Sequence, residues 1–234
     1  MATTTTPTAR DRARAELTDE IKAVARRHLA EHGSAALSLR AVAREVGMVS
    51  SAVYRYFPSR DELLTALIID AYNAVGATAE DALAANRRRG AAARWMAVSQ
   101  AIRAWALAHP HEYALIYGSP VPGYAAPQDT IDPASRVALA LLQIVVDGVA
   151  LGEIAEGDAI SMPRVVHADF ALLRDTAAPG VPDAVVSRTL LAWSQLFGSI
   201  SLEMFGHLHN VIHDYDAYFT VQVRRTADFL VNGT

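Results

Sequence analysis

Residues 39–57 read LRAVAREVGMVSSAVYRYF, two short runs of helix-forming residues on either side of Gly47. Apolar residues spaced three and four apart predict two short helices, and the glycine supplies the turn between them. Ser38 can cap the first of these helices, and Ser50 or Val49 opens the second. Two short helices joined by one tight turn, after a longer first helix, are typical of a helix-turn-helix.

The side chains of this segment divide into an inner and an outer set. The inner set forms a small apolar core, and the outer set points to solvent. The inner set is Leu39, Val42, Val46, Val53 and Phe57, and the outer set is Ser50, Ser51, Tyr54 and Arg55. Hydroxyl groups and an arginine near a helix N-terminus can reach base edges, and tyrosine and arginine further along can hold phosphates. We therefore expect the second short helix to contact DNA, with Tyr56 as a packing side chain.

Longer helices flank this segment on both sides. Apolar residues at spacings of three and four predict a first helix from about Arg10 to Glu31, and Gly33 suits its C-terminal end. On the other side, Ser59 and Glu62 have the spacing of a capping box. A long fourth helix is therefore expected to begin there.

The rest of the chain also has helical spacing, and few of its segments alternate strictly as a strand does. Helices are predicted at roughly residues 91–108, 112–117, 133–151, 163–174, 182–207 and 214–231, with a loop rich in Pro, Gly and Ser at 118–132. The prediction is an all-α fold of about nine to ten helices.

The charge is distributed unevenly along the chain. Residues 1–60 hold ten basic and six acidic side chains, a net charge of +4, whereas the remainder carries −8. A basic end on an acidic chain suits a protein that presents that end to a polyanion such as DNA. Chance clustering explains the charges equally well.

The composition is that of a folded protein of the cytoplasm. The 234 residues are 52% hydrophobic and 20% charged, and cysteine is absent. No stretch approaches the roughly 20 uninterrupted apolar residues of a membrane span. The most apolar segment, Val137 to Leu151, contains Gln143 and Asp147, and we expect it to be a buried helix. The N-terminus lacks the apolar core of a secretory signal.

Residues 35–64 resemble the DNA-binding domain of the TetR/AcrR family, most clearly in the run YRYFPSRDELL from Tyr54 to Leu64. The resemblance implies a helix-turn-helix domain at residues 1–60 and a helical ligand-sensing and dimerisation domain at residues 61–234. The DNA contacts that it implies are Ser38 and Arg40 on the backbone, Val49, Ser50, Ser51 and Arg55 in the groove, and Tyr54 and Arg60 on phosphates. Two positions depart from the family's usual pattern, since Val49 stands where serine is common and Ser50 where proline often follows.

The same resemblance implies the partners and the mode of action. The protein would bind a palindromic operator in double-stranded DNA as a homodimer and regulate transcription, most commonly as a repressor that responds to a small-molecule inducer. It would need no cofactor and no membrane. The run YGSPVPGY at residues 117–124 resembles a subgroup of TetR-like regulators that is common in actinobacteria.

In this family the last two long helices of each chain pack with their copies as a four-helix bundle. The resemblance therefore implies a set of apolar dimer contacts on these helices. They are Leu191, Phe197, Ile200, Met204, Phe219, Val223 and Phe229. The alternative is that these side chains form an ordinary monomer core.

A sensor pocket is expected between the helices of residues 91–207. The aromatic side chains that can line it are Trp95, Trp105, Tyr113, Tyr117, Trp193 and Phe197. Taken singly, each is more often a core residue than a pocket residue.

A metal site is a second possibility, because His207, His209 and His213 lie close together in the sequence near several acidic residues. The helix is expected to end at Asn210, and no cysteine completes the set, so surface histidines are the preferred interpretation. Such a site would make the protein a metal- or small-molecule-binding helical protein without operator binding.

Catalysis is not indicated by any motif in the sequence. The chain lacks a nucleophile elbow, a phosphate-binding P-loop and a dinucleotide-binding fingerprint, and its acidic residues are scattered. An enzyme is therefore not expected.

Overall fold

The computed structural model describes residues 8–157 and 161–233, and every regular element in these ranges is helical. The ten α-helices are α1 Ala9–His32, α2 Leu39–Glu45, α3 Ser50–Val53, α4 Arg60–Ala85, α5 Ala91–Ala108, α6 Pro110–Tyr117, α7 Ile131–Ala150, α8 Arg164–Ala177, α9 Asp183–Met204 and α10 Tyr215–Asn232. Two short 3₁₀ turns lie at Ser34–Ala36 and Gln128–Thr130. The predicted all-α fold is confirmed.

The chain forms two compact units. The first, which we call the head, consists of residues 8–71 together with His111–Thr130. The second, which we call the body, consists of Tyr72–Pro110 and the described residues from Ile131 onward. The two units divide α4 between them, so the head extends past residue 60 into this helix.

The head is built on α1, which begins with a capping box. The backbone N–H of Asp11 donates to Thr8 Oγ1 at 3.2 Å, and the backbone N–H of Thr8 donates to an Asp11 carboxylate oxygen at 3.0 Å. The Thr8 hydroxyl also donates to this carboxylate at 2.7 Å, and the hydrogen bonds from the Thr8 hydroxyl and then from its backbone N–H lower the pKa of Asp11. Further along α1, Lys22 and Arg26 both reach Asp70 of α4, at 3.0 and 2.5 Å. Ion pairs therefore hold the first half of α4 to α1.

The core of the head follows the inner set expected from the sequence. Leu39, Val42, Val53 and Phe57 are buried together with apolar residues of α1 and α4, and Val46 is half-buried. The turns around this core depend on Gly33 and Gly47, whose φ angles are +74° and +76°. Only glycine adopts this backbone region without steric cost, and the chain can therefore turn sharply before α2 and again before α3.

The body is arranged around α5, which packs against α7, α9 and α10. Its buried side includes the guanidinium groups of Arg94 and Arg103. Arg94 pairs with Asp147 at 2.8 Å and Glu153 at 3.2 Å. Buried charges are stable only when they are paired and hydrogen-bonded, and these arginines therefore fix the position of α5 within the body.

The second buried arginine joins three helices. Arg103 of α5 donates to both carboxylate oxygens of Glu203 on α9, at 2.6 and 2.7 Å, and to Asp216 on α10 at 2.7 Å. Its guanidinium also lies 5.0 Å from the centre of the Phe219 ring. The end of α9 and the start of α10 are thus both held to α5 by one side chain.

Helix α7 is the most apolar element. By length and composition alone, the segment Gln128–Ala150 is apolar enough to cross a membrane, and no other segment in the described ranges is. Its apolar face packs against α5, and it also carries Arg136, which pairs with Glu80 of α4 at 2.6 Å. Core helices of folded proteins pass the same test of length and composition. The segment that we expected to be a buried helix therefore lies in the core of the body along one face.

Candidate nucleic-acid interface

One exposed surface on the head carries the side chains expected to read DNA. Helix α3 is a single turn, and only Val53 among its four residues is buried. We call the exposed set the recognition surface: Val49, Ser50, Ser51, Tyr54 and Arg55. Val49 is the N-terminal cap residue and 71% exposed, and its side chain cannot cap the helix. The structure thus starts α3 at Ser50, as the sequence allowed.

Helix α1 supports the end of α3. The guanidinium of Arg14 donates to the backbone carbonyl of Arg55 at 3.2 Å and lies 5.1 Å from the centre of the Tyr56 ring. This contact spans 41 residues of sequence, and no local pattern in the sequence indicated it. Tyr56 is half-buried, in keeping with the packing position that we expected for it.

Helix α2 is held to α1 by an ionic cluster. The Glu45 carboxylate accepts hydrogen bonds from Arg27 at 2.7 Å and from His28 at 2.7 Å. The hydrogen bonds from Arg27 and then His28 lower the pKa of Glu45. Both helices that precede α3 are therefore joined by side chains outside the apolar core.

Arg60 is directed toward its own chain. Its guanidinium donates to the backbone carbonyls of Ser34 at 2.8 Å and Leu37 at 3.2 Å, and it pairs with Asp61 at 3.2 Å. The resemblance placed this side chain on a phosphate, whereas here it binds the turn before α2. In the same region, Ser59 accepts from the backbone N–H of Glu62 at 3.1 Å and opens α4 as the capping box predicted.

Two arginines of α2 form an exposed basic edge. Arg40 and Arg44 are four residues apart, which places them on one face of the helix, and both are exposed. Within the described ranges neither has a carboxylate partner, since Glu45 is taken by α1. Arg40 was expected to contact the DNA backbone, and Ser38 beside it makes no side-chain cap. Arg44 was not expected, although its spacing from Arg40 was a usable signal.

The chain matches two family models. Residues 21–67 match the model of the bacterial regulatory proteins of the tetR family. Residues 95–226, more than half of the chain, match that of the tetracyclin repressor-like C-terminal domain. The chain belongs to the TetR family.

Similar proteins agree with this membership. The HTH-type transcriptional regulator Rv1816 of Mycobacterium tuberculosis is 42% identical over 218 residues, 91% of each chain. The solved regulatory protein SCO4313 has a TM-score of 0.75 at 35% identity, covering 94% of this chain and 98% of that one. A TetR family regulator, PfmR from Thermus thermophilus, shares the fold alone, with a TM-score of 0.55 at 18% identity over 90% and 96% of the two chains. The protein is therefore a DNA-binding transcriptional regulator with a helix-turn-helix head.

The body of this TetR-family chain contains an apolar cavity of 230 Å³. Its walls include Trp95 of α5, Leu141 and Leu142 of α7, Leu173 of α8, and Leu190 and Trp193 of α9. Trp95 and Trp193 were both expected in a sensor pocket.

The other expected pocket residues do not line this cavity. Trp105 stacks on His109 with ring centres 5.2 Å apart, and Phe197 lies beside Trp193 with ring centres 5.3 Å apart. Tyr113 and Tyr117 belong to α6 of the head and contact each other with ring centres 5.1 Å apart. The six aromatic side chains therefore do not form one wall.

The expected dimer contacts also divide into two groups. Ile200, Phe219 and Val223 are buried in the core of a single chain, which is the alternative that the sequence left open. Leu191 is 57% exposed and Met204 is half-buried. When a helix is apolar on two sides, its sequence does not indicate which side packs in the core of its own chain.

Exposed apolar residues of α9 and α10 that do not line the cavity make up a different set. We call this set the exposed face: Leu191, Leu202 and Phe205 at α9 and Val221 on α10. Gly198 lies between Leu191 and Leu202, and a Cβ added to it would meet no atom within 4 Å. The exposed face therefore has room for close approach of another helix at its centre.

The three histidines after α9 form no metal site in the described part of the chain. His207, His209 and His213 are exposed. No group of three His, Cys, Asp or Glu side chains in the described ranges could hold a metal ion. No feature of this region favours the metal-binding alternative.

Proposed function

We propose that this TetR-family regulator binds a palindromic operator as a homodimer and represses transcription until a small molecule binds the body. Members of the family typically act as dimers and as ligand-responsive repressors. The recognition surface supports the DNA-binding half of the proposal. The protein acts in the cytoplasm, where bacterial DNA lies. It catalyses no reaction.

Helix α3 enters the major groove. The groove is about 12 Å wide and admits a helix with short side chains at its leading end. Ser50 and Ser51 stand at that end, and Arg55 one turn later can donate two hydrogen bonds to a guanine. Tyr54, at the side of the same turn, contacts a phosphate.

The basic edge of α2 holds the DNA backbone. Arg40 and Arg44 are exposed cations without a carboxylate partner in the described ranges, and each neutralises a phosphate when DNA binds. Arg60 has a different part, since its hydrogen bonds fix the turn that leads into α2. It is a positioning residue for the interface.

The exposed face of α9 and α10 pairs two copies of the chain. A two-fold interface uses the same surface on both partners, and the gap at Gly198 lets two α9 helices approach closely. Two heads in successive major grooves then lie about 34–36 Å apart.

A ligand acts by favouring one arrangement of this dimer. One arrangement of the dimer can contact the operator and the other cannot. The ligand shifts the equilibrium between them only to the extent that it binds the second arrangement more tightly than the first. The cavity lined in part by Trp95 and Trp193 is the site for such a ligand, and Leu190 in its wall stands next to Leu191 of the exposed face. Repression then follows from steric exclusion of polymerase at the operator.

The test is selection of bound DNA from a random oligonucleotide pool, with no ligand added and near-physiological salt. We expect enrichment of a palindrome with two half-sites separated by about one helical turn. Arg55→Ala should weaken the enrichment and relax the preference at one base pair of each half-site, whereas Arg164→Ala, which removes an exposed arginine on α8, should leave both unchanged.

The opposite result has a defined meaning. A folded, dimeric protein that enriches no sequence would overturn operator binding and favour a small-molecule-binding protein whose head does not read DNA. Enrichment of single, unpaired half-sites would overturn the homodimer while preserving DNA binding.

A further inference from the structure

The cavity in the body has walls without a charge. Its lining side chains are aliphatic or aromatic except for Thr189, whose hydroxyl donates to the backbone carbonyl of Val185 at 2.8 Å. The hydroxyl proton is therefore already used. A charged ligand entering this cavity would lose its hydration and gain no ionic partner from the walls.

One polar group beside the cavity lacks a partner. Trp95 is fully buried and lines the cavity, and its indole N–H has no hydrogen-bond partner in the described part of the chain. Buried donors of this kind are rare, because leaving one unpaired costs free energy. This nitrogen is not accessible from the cavity, so the walls present almost no polar surface to a ligand, and each acceptor that a ligand buries against them loses its hydrogen bond to water.

The volume sets the size of the occupant. An apolar cavity of about 150 Å³ holds a benzene molecule. The present cavity, at 230 Å³, suits a compound of one or two rings. Its mouth is formed in part by Ala138 of α7, which is exposed, and by Leu190 and Trp193 of α9, which are 42% and 39% exposed.

We infer that the ligand of this regulator is an uncharged, mainly apolar compound of one or two rings that carries at most one hydrogen-bond acceptor. The regulatory role of this ligand rests on the proposed function, whereas the binding of the ligand to the cavity does not require DNA. Carboxylates and amines of the same ring size are excluded by the walls of the cavity.

Isothermal titration of the full chain tests this with matched probes and no DNA. The probes are naphthalene, 2-acetylnaphthalene and 2-naphthoate, of which the last two have nearly the same shape but only 2-naphthoate is charged. We expect the two neutral probes to bind and 2-naphthoate to bind more than about tenfold more weakly than 2-acetylnaphthalene.

Variants assign the binding to the cavity. Ala138→Trp fills the mouth from an exposed position of α7, and Leu173→Trp fills it from α8. Each should weaken 2-acetylnaphthalene binding by more than about tenfold. Ala150→Trp is the same substitution at an exposed position of α7 outside the cavity, and it should bind as the unmodified chain does. Circular dichroism identifies any variant that does not fold.

Three outcomes overturn the inference: no binding of either neutral probe, equal binding of 2-naphthoate, or unchanged binding in folded Ala138→Trp and Leu173→Trp. None of these bears on operator binding, because that is measured without ligand. Conversely, probe binding by a protein that selects no operator would preserve the inference and overturn the proposed function.

Discussion

One ion pair in the head and one in the body join helices at different depths. In the head, Glu45 is 41% exposed where it meets Arg27. In the body, Arg103 and Glu203 are only 7% and 10% exposed. An exposed pair contributes little to stability, whereas removing one partner of a buried pair leaves an uncompensated charge. The head can therefore vary its surface at low cost, while the body depends on a few buried side chains.

The largest expected effect breaks the body. Arg103→Ala leaves the Glu203 carboxylate nearly buried without its cation, and we expect a loss of about 3–5 kcal/mol in the free energy of unfolding. Urea unfolding monitored by circular dichroism measures this. Arg164→Ala, which removes an exposed arginine, is the control and should change the midpoint very little. An equal loss in both variants would contradict the role of burial.

The next prediction distinguishes the folding of the body from the formation of a dimer. Gly198→Leu adds a side chain where a single chain has open space, so the isolated chain should keep its stability. Because the added side chain overpacks a two-fold interface, self-association should weaken by about 1–3 kcal/mol. Sedimentation velocity over a range of concentrations measures the dimer. A Gly198→Leu chain that pairs as before would place the interface elsewhere.

In the head, a surface change should alter function and leave the fold intact. Arg55→Ala should cost about 1–3 kcal/mol in operator affinity and relax the preference at one base pair. Arg40→Ala should instead weaken binding to all sequences and reduce the salt slope by about 1. Fluorescence anisotropy at several salt concentrations distinguishes these results. Equal effects on specific and random DNA in both variants would mean that Arg55 reads no base.

A smaller effect concerns the arginine that faces inward. Arg60→Ala removes two hydrogen bonds to the turn before α2, and we expect a loss of about 1–2 kcal/mol in stability. The salt slope of DNA binding should stay close to its original value. Thermal unfolding and fluorescence anisotropy together test this. A reduced salt slope with unchanged stability would mean that Arg60 contacts a phosphate of the DNA.

The smallest effect is a pH dependence in the head. The pKa of Glu45 lies below its ordinary value of 4.5, since Arg27 and His28 hydrogen-bond the charged form. Its contribution to stability is therefore present above pH 4.5 and is lost as the pH falls through the lowered pKa of the folded state. The difference in urea midpoint between the original chain and Glu45→Gln should be present at pH 7 and shrink on acidification. A difference in urea midpoint that does not change with pH would mean that Glu45 is not paired with Arg27 and His28.

Local features of the sequence predicted the elements well. Helix α5 occupies the predicted residues 91–108, and the start of α4 came from the capping box at Ser59. These signals lie within a few residues of the structure they determine. The exposed positions of α3 followed in the same way, from the spacing of its serines and arginine.

Contacts between distant residues could not be predicted. Arg60 binds carbonyl groups 23 and 26 residues away, and Arg14 binds a carbonyl 41 residues away. None of these partners is visible until the helices are packed. The burial of Phe219 and Val223 within one chain could not be predicted for a related reason, because their apolar side faces α5 and α9 of the same chain.

The brevity of α3 limits the information that one head can read. If Ser50, Ser51 and Arg55 each distinguish one base pair, a head specifies roughly three base pairs, and a dimer about six, a sequence that random DNA contains about once in every 4,000 base pairs. A genome offers at least about 10⁶ competing sites. This frequency already counts the two half-sites at one fixed spacing, so the remaining selectivity must come from the sequence-dependent shape of the DNA between and around them. A regulator with so short a recognition helix therefore selects its operator by the form of the DNA as well as by its bases.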